Sequence, residues 1–144
     1  MKLATRIFTT LLLPLFTVAA FAGETTEVVS HKTVTLYFIT PADGDVVSGD
    51  FEVRFGLKGM GVAPAGVDKS NTGHHHILID VDSMPTPNIP LPKSDHVRHF
   101  GGGQTETTLN LPAGTHTLQL VLGNYAHIPA NPPVMSEKIT ITVE

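Results

Sequence analysis

From Thr33 onward, apolar and polar residues alternate in short runs. Phe51, Val53 and Phe55 face one way while Glu52 and Arg54 face the other, and Ile139, Ile141 and Val143 oppose Thr140 and Thr142. A period of two with one polar face predicts antiparallel strands packed on one side. Six runs carry it: Thr33 to Thr40, Asp50 to Leu57, His74 to Val81, Thr105 to Leu111, His116 to Leu122 and Lys138 to Glu144. No stretch of ten residues holds a helical period. The joints carry turn chemistry in "PADGD", "PAG" (twice), "NPP" and "GGG". Spaced strands with such turns predict an all-β fold, an antiparallel immunoglobulin-like β-sandwich.

Two connections are long, Gly59 to Gly73 and Ser83 to Gln104. Loops beyond about fifteen residues in a compact domain are usually functional or disordered. The second carries His96 and His99, which favours function.

The first residues break the pattern. "MKLATR" is a short positive segment, "IFTTLLLPLFTVAAF" is apolar, and Ala20 and Ala22 supply an A-x-A cleavage pattern. Residues 1–22 are therefore expected to be a signal peptide and residues 23–32 a polar leader, with one sandwich domain over 33–144. The expected location is periplasmic or secreted. After cleavage, no segment is apolar enough to span a bilayer.

Losing Lys2 and Arg6 leaves seven basic residues against thirteen acidic, a formal charge of −6. That balance argues against nucleic acid as a partner. Cysteine is absent, so the domain stands on its hydrophobic core without disulfides. Any metal site must also use His, Asp, Glu or Met.

Eight histidines then become the chemistry to explain, three of them consecutive in "NTGHHHILIDVD". On a strand, side chains alternate. His75 shares a face with Ile77, Ile79 and Val81, the more apolar set, and is expected to face the core. His74 and His76 share the other face with Leu78 and Asp80. Their side chains lie about 7 Å apart at Cβ, close enough for two imidazoles to reach one ion. A third ligand must come from elsewhere, and His99 and His127 are the leading candidates. His75, His116, Met60 and Met135 rank behind them. His116 shares a face with Leu118, Leu120 and Leu122, and a core imidazole bonded to backbone is the plainer reading of it. His31 has no evident partner.

Catalytic motifs are missing. There is no G-x-S-x-G, no H-E-x-x-H and no phosphate-binding glycine loop. "HHHILID" and "PAGTH" partly resemble the metal-binding motifs of cupins, with Asp80 in place of a glutamate and the spacing after Gly114 one residue short. Copper/zinc superoxide dismutases also carry His-x-His on a sandwich, but their disulfide cysteines are absent here.

A wider resemblance rests on "GMGVAPAG", "TGHHHILID", "HFGGGQTETTLNLPAGTHTLQLVLGNYAHIP" and "PPVMSEKITITV". Together these are similar to a family of small exported bacterial domains of unknown function, over roughly Pro41 to Glu144. The resemblance implies an exported β-domain. It places His74, His75, His76, His99, Gln104, His116 and His127 on motif positions.

The expectation is a periplasmic metal-binding protein that takes a copper ion, with zinc as the alternative. Another periplasmic protein is a conceivable partner. Two other readings stay open: a non-metal envelope module for a ligand or protein, and a cupin-like metalloenzyme.

Overall fold

The computed structural model describes residues 33–83 and 86–144. The signal-peptide and leader expectations, and His31, lie outside the described residues. Among those described, no helix is long and apolar enough to cross a membrane.

The chain folds as an all-β sandwich of two sheets. The smaller holds β1 (Thr35–Thr40), β3 (Asp50–Lys58) and β7 (Glu106–Asn110), in the order β1-β3-β7, all antiparallel. The larger holds β2 (Val46–Val47), β9 (Ile139–Val143), β8 (Gly114–Gly123), β5 (Thr72–Ile79) and β4 (Gly61–Val62) in that order. A further three-residue strand, β6 (Val97–His99), pairs with β5. All six expected strands are present. The purely antiparallel expectation needs one amendment, because the short β2–β9 and β4–β5 pairings are parallel.

Period two explains the core. Phe51, Val53 and Phe55 of β3 are buried against Ile77 and Ile79 of β5, Leu118, Leu120 and Leu122 of β8, and Ile139, Ile141 and Val143 of β9. Each buried side chain of this size contributes about 1.5–3 kcal/mol by leaving water, which a domain without disulfides needs.

β5 departs from the half-buried pattern. Every residue from Gly73 to Ile79 is buried. A second apolar cluster covers its other face, built from Leu78, Leu91, Val97 and Val121. Leu91 and Val97 come from the long connection after β5, which folds over the sheet. A strand with no solvent face reads as a continuous apolar run, and here imidazoles fill three of its positions. Val81 does not follow His75, Ile77 and Ile79 inward. Asp80 takes a positive φ of 54°, which ends the alternation, and Val81 packs with the second cluster.

Asp80 also ties the end of β5 to β8. Its carboxylate accepts from the Thr117 N–H at 2.8 Å and from His116 Nδ1 at 2.7 Å. His116 Nε2 lies 2.9 Å from the Pro112 carbonyl. With an acceptor at both nitrogens, the imidazolium is the favoured form. The Asp80 hydrogen bond accordingly raises the His116 pKa above 6.5, against the opposing effect of burial. Burial would raise Asp80, but hydrogen bonds from His116 and Thr117 outweigh it and lower its pKa below 3.8. The pair's stabilisation is therefore complete between those two ordinary values. It fades as pH falls through the lowered Asp80 pKa, and as pH rises through the raised His116 pKa. Asp80→Asn, which tolerates the positive φ, is expected to lose about 1 kcal/mol near pH 5.5, since the carboxylate is over a third exposed. The loss should shrink above neutrality. Urea midpoints of both proteins at pH 5.5 and 8.5 check this, and an equal loss at both values refutes the charge argument.

Candidate metal centre

His74 and His76 sit on β5 with their rings 4.8 Å apart between centroids. β8 lies on one side of them. Its residues opposite His74 and His76 are Gly123 and Val121. Gly123 makes the space: a Cβ there would lie 2.8 Å from His76 Cε1 and 3.3 Å from the His127 Cα. Only a residue without a side chain lets the imidazoles occupy that volume.

His99 arrives on β6, where it pairs directly with His76. The register also puts Val97 opposite Leu78, and both join the second apolar cluster. Phe100 follows on the other side, packs on Phe55 in the main core, and donates its N–H to the His75 carbonyl at 3.1 Å. Alternation in "VRHF" thus clamps β6 on both faces and fixes His99 between the clamps. Gly101 lies flat against the His99 ring, where a Cβ would approach Cε1 to 2.4 Å.

His127 comes from the turn after β8. Asn124 builds that turn: its side-chain oxygen accepts from the Ala126 and Ile128 N–H groups at 2.9 and 3.0 Å, and its carbonyl accepts from the His127 N–H at 2.8 Å. His127 itself adopts a positive φ of 65°. That conformation costs a non-glycine residue about 1–2 kcal/mol, and here it brings the ring to the cluster.

The result is four converging imidazoles. One ligand atom each from His74, His99 and His127 lies within 4.8 Å of the others. His127 Nε2 and His99 Nε2 are 3.0 Å apart, so one donates to the other. The His76 ring is 5.0 Å from His99 and 5.9 Å from His127. Nitrogens bound to one ion at about 2.0–2.1 Å in tetrahedral array stand roughly 3.3 Å apart. The His99–His127 pair is already at that scale, and the widest pair must close by about 1.5 Å.

Burial sets the charge state. It holds the His74 pKa down to about 4, helped by His127, His99 and His75. It holds His76 down to about 3, helped by His74, His99 and His127. His99 is lowered too, by burial and then by His127. Neutral rings carry lone pairs, so a cation need not displace protons from them near neutrality. Both nitrogens of His74 and Nδ1 of His76 are buried without a hydrogen-bond partner. Unpartnered buried polar atoms of this kind cost about 1–3 kcal/mol each, and a bound cation would relieve that cost at the lone-pair nitrogen it takes, not at the N–H of the same ring.

A family model matches residues 53–144 and is described as a domain of unknown function, DUF4399. The chain belongs to that family. All four clustered histidines of the DUF4399 chain, with Gly101, Gly123 and Asn124, lie inside the match. The match begins within β3, later than the Pro41 expected from the motifs. No curated protein matches the chain. Among solved structures, the endo-beta-1,4-mannanase from Thermotoga petrophila is similar at 21% identity and a TM-score of 0.47, over 85% of this chain and 21% of that one. The DUF4399 chain thus spans about a fifth of that protein's length.

The remaining candidates fall elsewhere. His75 faces the main core, with its ring 4.8 Å from Phe55 and neither nitrogen hydrogen-bonded. Burial lowers its pKa to about 4, against the opposing effect of the nearby Gln104 backbone. His116 pairs with Ile141, five residues along β8 from the position opposite His76, about 17 Å away. It is committed to Asp80 and Pro112. His96 is bonded to the Ile79 carbonyl through Nδ1 at 2.9 Å. Met60 packs against the main core and Met135 against the second cluster.

Three positioning residues were not singled out from the sequence: Gly101, Gly123 and Asn124. A signal existed for the first, a glycine run that begins two residues after a candidate histidine. "GNYAH" likewise set a turn-forming asparagine three residues before His127.

Proposed function

We propose that this chain is a periplasmic or secreted metal-binding protein that takes a copper ion, with zinc as the alternative. The observation that carries the reading is the convergence of His74, His99 and His127 ligand atoms within 4.8 Å. His76 stands beside them as a fourth imidazole. Borderline imidazole nitrogens without thiolate suit copper(II) and zinc, and copper(II) binds more tightly in the general affinity order. The A-x-A pattern after an apolar segment supports export.

The test uses tag-free protein and a competing chromophoric chelator. The wild-type chain is expected to bind one copper(II) ion, and zinc more weakly. His99→Ala and His127→Ala, which remove less buried rings, should each weaken copper at least about tenfold, and the double variant about a hundredfold. His96→Ala should bind as wild type does. Affinity no tighter than micromolar in the wild type, or an unchanged double variant, sinks the proposal.

A further inference from the structure

A cavity of about 330 Å³ opens directly on the imidazole cluster. His76, His99 and His127 are among its lining residues. Its walls are Pro90, Leu91, Pro92 and Val97, and Lys93 supplies the one charged side chain among its lining residues. No carboxylate lines it. Among the described residues Lys93 has no acidic partner within 4 Å.

The wall is fixed to the cluster. The Leu91 N–H donates to the His127 carbonyl at 2.9 Å. Leu91 and Val97 are themselves buried in the second apolar cluster. Two prolines flank Leu91 and restrict the backbone there. The volume is at the small end of about 300–1,000 Å³ for sites that hold small molecules.

Charge and surface together select an occupant. A divalent ion on the imidazoles brings a double positive charge to the histidine-lined part of the cavity. The ammonium of Lys93 adds a third. An anion is favoured there, and apolar walls favour one with a hydrocarbon body over a fully hydrated oxyanion. We propose that the cavity takes a small monocarboxylate, whose oxygen completes the coordination of an ion held by His74, His99 and His127. Lys93 is its second electrostatic partner. This rests on the metal-binding reading above. Three protein ligands with a fourth position facing a cavity is the general form of an open metal site.

The experiment uses copper(II)-loaded protein, its copper content fixed by metal analysis, in a non-coordinating buffer. Sodium butyrate is titrated while the copper electron paramagnetic resonance spectrum is recorded, with butanol as the uncharged probe of the same body. Butyrate is expected to change the spectrum saturably and butanol to leave it unchanged. In Lys93→Ala the butyrate concentration for half-saturation should rise about tenfold, the loss of one charge-assisted contact. Lys93→Arg should recover part of it. A spectrum indifferent to butyrate overturns the proposal and leaves the metal reading intact. A response equal in wild type and Lys93→Ala, or equally strong for butanol, also overturns it. Failure of copper to bind at all removes both.

Discussion

Unfolding of the metal-free chain is expected to become steeply easier as pH falls below 6.5. His74, His75 and His76 are buried with pKa values of about 4, 4 and 3, whereas the unfolded chain holds them near 6.5. A base whose folded pKa is lowered has no effect on stability well above its unfolded pKa. As pH falls between the two values, the unfolded state takes up protons that the folded state refuses. Near pH 5 the difference approaches three protons, a slope of about 4 kcal/mol per pH unit. Domains of this size hold only about 5–15 kcal/mol in total, so the fold should be lost within about two units. Urea midpoints from pH 8 to 4.5 measure the slope. His75→Leu, which removes one of the three rings, should flatten it by about a third. A midpoint that stays level across this range would show that the rings are hydrated rather than buried.

Phe100→Ala is expected to cost about 3–5 kcal/mol, in line with emptying a buried aromatic site. Phe100 is a core residue, packed 4.9 Å from Phe55 between ring centroids. Its second role concerns the site. It is the residue that ties β6 down immediately after His99. Released from the core, the segment loses its fixed register with β5, and His99 with it. Copper affinity should therefore fall at least about tenfold in molecules that remain folded, below the unfolding threshold in urea. Val97→Ala, on the opposite clamp, should show the same pairing of effects on a smaller scale. If Phe100→Ala destabilises the chain but binds copper as wild type does, β6 holds its place without the core, and the clamp argument is wrong.

The contrast between β5 and β6 explains what could be read from the chain and what could not. Long strands announce themselves, because five or more alternating residues cannot pack any other way. The order of strands in the two sheets was not readable, and so the β5–β6 pairing was not either. β6 is three residues long, within the noise of any periodic pattern, and it counted as loop. Its alternation is intelligible only when Leu78 and His76 are known to lie opposite. The split of the histidine triplet into His75 on one face and His74 with His76 on the other follows from backbone geometry alone, and the fold has that arrangement. What covers that second face was not readable from β5 itself, since Leu91 and Val97 reach it from a segment rich in proline. His127 was a candidate by residue type and by its place on a family motif, not by any periodic pattern. Its position depends on a left-handed residue and on Asn124, neither of which has a periodic signature.

One hydrogen bond described above joins two things that would otherwise be separate. His127 gives its ring to the cluster and its carbonyl to the N–H of Leu91, and Leu91 is part of the cavity wall. Backbone shifts on either side of that bond are therefore shared. On the proposed metal and carboxylate readings, a ligand that pressed Leu91 outward would pull on His127, and an ion that drew His127 inward would tighten the wall. A single peptide group thus carries an imidazole of the cluster and anchors the wall of the cavity beside it.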